Sequence, residues 1–284
     1  MNQNNYKHPH PGLLGRLAEL LANSHALANA RQALMSRLPF LKLESDVSNV
    51  VYLTWLVDAE AAQAFVPAGA RLWQRDGKTP FTVLTYRHGH FGPAMLGPLR
   101  KLFPSPMQSN WRLYLEEAPH QATQARTVLF LKNIMSSVAY ALGTRLFSDA
   151  LPSHLAASFI HRGDGKTFDT TIGSGSGSAP SLSCSARLAD GKELSEPFAS
   201  AFGSWENAVE FLCCQDAAVA HVDRLDRLAF AEIELPIDVA RVLPLNASAA
   251  ATQCSFLAAL PPAGAPLCFL VPQVKFLAVS ERLL

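Results

Sequence analysis

His88 and His90 are the first residues in the sequence whose types and spacing suit a reaction. Residues two apart on a strand share a face, so the pair can hold zinc or iron if a carboxylate or third histidine converges. No third ligand stands at a recognisable spacing, and no metal is expected. Arg112 and Arg145 lie in the apolar runs Trp111-Arg112-Leu113-Tyr114 and Thr144-Arg145-Leu146-Phe147. A buried guanidinium needs a partner. Glu116, Glu117 and Asp149 are the acids at hand, whereas an arginine facing a cavity favours a carboxylate ligand, gripped in a two-point fork. If 109–117 is a strand, Asn110, Arg112 and Tyr114 share one face and Trp111, Leu113 and Leu115 the other. Ser153 and His154 are a nucleophile and a base side by side. Adjacent strand residues point to opposite faces, so they cannot act on each other.

The other motifs exclude more than they assign. Cys184, Cys213, Cys214, Cys254 and Cys268 lack paired CxxC spacing and read as buried thiols. The run GSGSGS at 173–178 lacks the lysine and helix of a phosphate loop and reads as a flexible hairpin loop; GxSxG and HExxH are absent. No cofactor is expected.

Positioning these groups falls to strands. From Ser48 the apolar period is two, through Val57, in a segment apolar on both sides. Asp58 then caps a short helical turn that Pro67 and Gly69 stop. Further strands are expected at 79–87, 109–117, 126–132, 155–162, 166–172 and 181–188, with turn residues between nearly all of them, as in an antiparallel meander. Helical segments are expected near 134–147 and 204–214, the second capped by Ser204. Before the strands, Leu13, Leu17, Leu20, Leu21, Leu27, Leu34 and Leu38 mark an amphipathic helix over 13–38. Its polar face carries Arg16, Arg31 and Arg37 against Glu19 and permits contact with a membrane surface, but such a stripe ordinarily packs on its own body or on a second copy of the chain. His8 and His10, in a polar tail, read as disordered. Trp55, Trp73, Phe81, Tyr86, Trp111 and Phe130 are expected mostly in the core.

With 24 Lys+Arg against 23 Asp+Glu, the chain has no net field to gather phosphate backbones, and nucleic acid is not an expected partner. No stretch approaches the length of a membrane span and the start does not read as a secretory signal, so a cytoplasmic protein is expected. A chain of 284 residues that is 49% hydrophobic can enclose one large core. The division is a tail and helix over 1–43 and one β-rich domain over 44–284.

Four stretches, in order, resemble the YqjF-like uncharacterised family, which sits with the acetoacetate decarboxylases. They are Trp55-Leu56-Val57-Asp58 running into Phe65-Val66-Pro67-Ala68-Gly69, then Ser109–Leu115, then Gly143–Phe147 with Leu151–Ala156, then Trp205–Leu212. The resemblance implies a mostly β, α+β fold: an antiparallel, closed or nearly closed barrel with a few flanking helices. It also implies a reactive lysine directly after the proline of the third stretch. Here Ser153 and His154 follow Pro152, and the nearest lysines, Lys132 and Lys166, lie on other elements. A hydroxyl cannot form the iminium that draws electrons from a departing carboxylate. Schiff-base decarboxylation is therefore not expected. By the same resemblance Ser153 faces the cavity, and the Asn110-Arg112-Tyr114 face lines it.

The expected function is binding of a small organic acid or carbonyl compound through Asn110, Arg112, Tyr114 and Arg145. Any turnover would fall to Ser153 or His154, with histidine suited to acid–base work at neutral pH. The alternative is a scaffold that uses the 13–38 helix for dimerisation or partner docking.

Overall fold

The computed structural model describes residues 4–35, 37–117, 126–248 and 252–284. The N-terminal signal resolves into two helices, α1 (Leu13–Ala22) and α2 (His25–Met35), broken at Asn23. The expected single helix ends there because the Asn23 side chain turns to the tail, accepting from Tyr6 N at 2.9 Å and donating to Tyr6 O at 2.8 Å. Tyr6 is buried, and His8 N is bonded to Glu19, so the tail is docked where disorder was expected.

The body opens with β1 (Leu43–Asp58), whose Asp58 carboxylate accepts from Glu60 and Ala61 N to start α3 (Ala59–Gln63). There follow β2 (Arg71–Leu72), β3 (Lys78–Arg87), β4 (Gly92–Pro93), a 3-10 segment over Ala94–Leu102, β5 (Met107–Glu117) and β6 (Thr127–Met135). Next come α4 (Val138–Phe147), β7 (Ser153–Leu155), β8 (Ser158–Gly163), β9 (Thr167–Gly173) and β10 (Leu182–Leu188). After α5 (Glu196–Phe202) and α6 (Trp205–Cys213), the chain closes with β11 (Ala217–Val222), β12 (Arg227–Glu234), β13 (Leu243–Asn246), β14 (Gln253–Cys254) and β15 (Leu267–Leu283).

These strands form one sheet whose pairing returns on itself. The path β1-β3-β5-β6-β11-β12-β15 ends where β15 pairs with β1, from Leu43↔Ala278 to Thr54↔Leu267. The remaining strands extend it through β13, β10, β9 and β8. The sheet is mixed, which corrects the expected antiparallel arrangement: β6 runs parallel to both β7 and β11. Parallel neighbours need a long crossover, and α4 supplies one between β6 and β7. Residues 134 and 135, expected in that helix, complete β6 instead.

Two apolar layers hold the sheet. One joins Trp55, Phe81, Trp111 and Leu129 to Phe168 and Leu182 of β9 and β10. The other joins Tyr52, Tyr86, Tyr114 and Phe269 to Trp205, Val209 and Leu212 of α6. The sequence pattern explains the division, since successive residues of β1, β3 and β5 alternate between the layers. Among the described residues no helix is long and apolar enough to cross a membrane.

Candidate functional site

The face of the sheet that α6 covers carries a buried polar row. Thr54 pairs with Thr82, and Thr82 with Arg112, so three strands place these side chains abreast. Thr82 Oγ1 lies 2.8 Å from Thr54 Oγ1 and 3.0 Å from the Tyr114 hydroxyl. Arg112 Nη2 donates to Leu212 O of α6 at 2.6 Å, and Tyr114 donates to the same carbonyl at 2.8 Å. The guanidinium also donates from Nε to the Tyr114 oxygen at 3.3 Å and lies between the rings of Tyr52 and Tyr114, 5.5 and 5.3 Å from their centroids. Burial holds the phenols of Tyr52, Tyr86 and Tyr114 above their ordinary range, so they stay neutral hydroxyls near pH 7.

None of the expected acids reaches Arg112. Glu116 and Glu117 pair with Arg71, and Asp149 with Arg31 and Arg224. Arg112 is 3% exposed and also hydrogen-bonds the Tyr52 hydroxyl, yet no carboxylate among the described residues pairs with it.

A second line of donors runs along the same face. His88 Nε2 lies 2.7 Å from Gln108 Oε1, Gln108 Nε2 donates to Asn110 Oδ1 at 3.1 Å, and Asn110 Nδ2 donates to Asn133 Oδ1 at 2.6 Å. Each amide passes its donor onward, and the chain ends at Asn133 Nδ2, a buried donor with no partner among the described residues. Ser153 is the Cα partner of Asn133 across β6 and β7, which puts it on this face with Arg112 and Asn110; its Oγ donates to Leu151 O at 3.3 Å. His88 itself is enclosed between Ser45 and Gln108, and burial lowers its imidazole to about 4. β3 ends at Arg87, so His88 and His90 do not share a strand face, and His90 has a positive φ of 54°. Among the described residues no three His, Cys, Asp or Glu side chains converge on a metal-sized site.

His154 belongs to the opposite face. It is the partner of Ile134 in β6, and its Nε2 lies 3.3 Å from Lys132 Nζ while Nδ1 lies 2.7 Å from Ser178 Oγ. Burial lowers the Lys132 amine to about 8, with the Arg145 charge adding to the effect, and holds the His154 imidazole well below its ordinary value. Arg145 donates to Ser153 O at 2.7 Å and to Asn4 O, and lies over the Tyr6 ring. The structure therefore gathers Asn110, Arg112, Tyr114 and Ser153 on one face. His154 and Arg145 lie elsewhere, and Arg145 takes backbone carbonyls where an acid was expected. A cavity of about 130 Å³ beside Arg145, walled by Asn4, His25, His221 and Asp223, and another of about 340 Å³ among Phe65, Ser178 and Phe256 both lie away from Arg112.

Sequence reasoning missed Asn133, Gln108 and the Lys132–His154 contact. Asn133 falls one residue beyond the expected strand end, and an irregularity opposite Trp111/Arg112, where Lys132 and Phe130 are the successive partners, breaks the alternation that would have exposed it.

The model of a family described as an uncharacterized conserved protein, DUF2071, matches residues 44–210. The chain belongs to that family. No curated protein matches it. Among solved structures, the DUF2071 chain is similar to the enduracididine biosynthesis enzyme MppR complexed with pyruvate, at a TM-score of 0.58 and 11% identity over 87% of this chain and 91% of that one. It is also similar to an acetoacetate decarboxylase from Legionella pneumophila, at 0.53 and 8% identity over 85% and 86%. A further acetoacetate decarboxylase gives 0.54 and 12% over 87% and 90%. These likenesses place the DUF2071 chain in the acetoacetate-decarboxylase-like fold, as the ordered motifs implied.

Proposed function

We propose that the protein binds a small molecule bearing a carboxylate or carbonyl group on the α6-covered face of the closed strand circuit, and that it does so without Schiff-base decarboxylation. The carrying observation is Arg112, a buried guanidinium with no acid partner among the described residues. Asn133 Nδ2 adds a donor with no partner among the described residues on the same face. A charged group so desolvated is costly unless something compensates it, and a carboxylate is the natural counterpart of a guanidinium fork. The pyruvate named with MppR supports the same ligand class. Ser153, which the family resemblance sets in place of the reactive lysine, is on this face, while the Lys132 amine is on the other. The Leu212 carbonyl now occupies the arginine, so uptake involves a shift of the C-terminal end of α6.

Calorimetric titration with pyruvate and longer 2-oxo acids tests this reading. Arg112→Ala should weaken binding by at least tenfold, in line with the ~2 kcal/mol or more lost with one partner of a buried charged pair. Unchanged binding by a variant that still melts cooperatively, or no binding by the parent protein, would overturn the proposal. Borohydride reduction with the same acids should leave the intact mass unchanged. A reduced adduct mapped to Lys132 or Lys166 would contradict the non-covalent reading.

A further inference from the structure

The leucines of the first two helices point away from the body. On α1 the buried positions are Gly15 and Ala18, and on α2 none is buried. Leu13, Leu14 and Leu20 are 75%, 82% and 68% exposed. The small residues face inward because Gly15 meets the His10 carbonyl, where even a Cβ would come within 2.6 Å. The usual amphipathic order is thus inverted, with the large apolar stripe outermost. The exposure continues through Leu38, Phe40 and Leu41. It passes to the 3-10 segment over Ala94–Leu102, tied to it by Ala94 N donating to Lys42 O at 2.9 Å, where Met95, Leu99 and Leu102 are exposed.

The charge around this stripe has one sign. Residues 7–42 hold Lys7, Arg16, Arg31, Arg37 and Lys42 against Glu19, five positive and one negative. The segment is therefore +4 in a chain of +1, and the rest of the molecule −3. Glu19 already accepts from His8 N, and Arg31 is committed to Asp149. Arg16, Arg37, Lys42 and Lys101 are exposed, and none forms an ion pair among the described residues.

We propose that this face docks on an anionic bilayer surface, with the α1 and α2 leucines entering the boundary between headgroups and acyl chains and the four exposed cations lying among the lipid phosphates. Apolar residues flanked by long cationic side chains are the composition of an interfacial helix, which lies in the membrane plane without crossing it. A second copy of the chain fits less well. Two-fold pairing through the stripe sets Arg16, Arg37 and Lys42 against the same cations of the partner copy, with a single, already engaged acid to offset them. The proposal is independent of the ligand reading.

The test is co-sedimentation of the full chain with phosphatidylcholine vesicles and with equimolar phosphatidylcholine and phosphatidylglycerol vesicles. Binding to the anionic vesicles should be at least ~10-fold tighter and fall with salt. A combined Leu13→Glu, Leu17→Glu, Leu20→Glu variant should lose it, and Arg16→Glu with Arg37→Glu should lose the preference for anionic lipid. If the leucine variant fails to fold, the parent protein's lipid comparison and the arginine variant still decide. Equal binding to both vesicles, or none, overturns the proposal. So does a lipid-free dimer in analytical ultracentrifugation that the leucine substitutions convert to monomer, since the stripe would then be a contact between copies.

Discussion

Arg112 and Tyr114 share one acceptor, the Leu212 carbonyl, so removing the tyrosine hydroxyl shifts the whole load to the guanidinium. Tyr114→Phe should lower stability by ~1 kcal/mol, measured by urea titration, and weaken ligand binding by loosening Arg112. His88 sets a pH dependence. Its folded value of about 4 lies below that of an exposed histidine near 6.5, so the unfolded chain binds the extra proton between those values. Stability then rises with pH through that window and is lost as pH falls from 6.5 toward 4, by an amount on the order of 2–3 kcal/mol. Thermal melts at pH 7 and pH 5 should show a smaller difference for His88→Gln than for the parent protein. The three clustered residues Asn110, Arg112 and Tyr114 were legible because a regular strand alternates faces. Arg145 was not, because its carbonyl partners, Asn4 and Ser153, are distant in sequence or carry no signature of their own.

At the scale of elements, α6 covers the site, and its start is held by Ser204 Oγ accepting from Asn207 N at 3.2 Å. Ser204→Ala should cost about 1 kcal/mol of stability by thermal melt and leave ligand affinity near the parent value, because the cap is at the end of the helix remote from Leu212. This cap was legible as a short local pattern. So were β1, β3, β5, β6, β9 and β10, whose boundaries moved by a few residues, whereas the strand expected at 155–162 divides into β7 and β8, and β11 to β15 were not foreseen. The parallel pairing of β6 was not legible, since an apolar run looks the same whichever way its neighbour runs. The inverted face of α1 was hidden for a related reason: the period of a leucine stripe gives its angular position on the helix and carries no information about which side meets the body.

For the whole molecule, the decisive joint is β15, which pairs with β1, β12 and β13. Residues 277–283 hold the contact with β12 and 267–278 the contact with β1. Truncation after Lys275 should abolish the cooperative melt in circular dichroism, because it removes the β12 contact and opens the circuit. A sharp transition retained by the truncated chain would show that the β1–β13 body stands without closure.

That joint also sets an order in time. β1 leaves the ribosome well before β15, which fills its second edge, with more than two hundred residues between Thr54 and Leu267. A contact so distant along the chain closes slowly, since loop entropy is lost before the pairing compensates it. Through elongation β1 offers unpaired backbone along residues 43–54, a stretch including Val47, Val50, Val51 and Leu53 that another nascent chain can pair with. Ser45, Asp46, Ser48 and Asn49 break its apolar run, and the positive φ of 53° at Asn49 interrupts a flat edge. The same residues that shape the finished sheet thus serve as gatekeepers while β1 waits for β15.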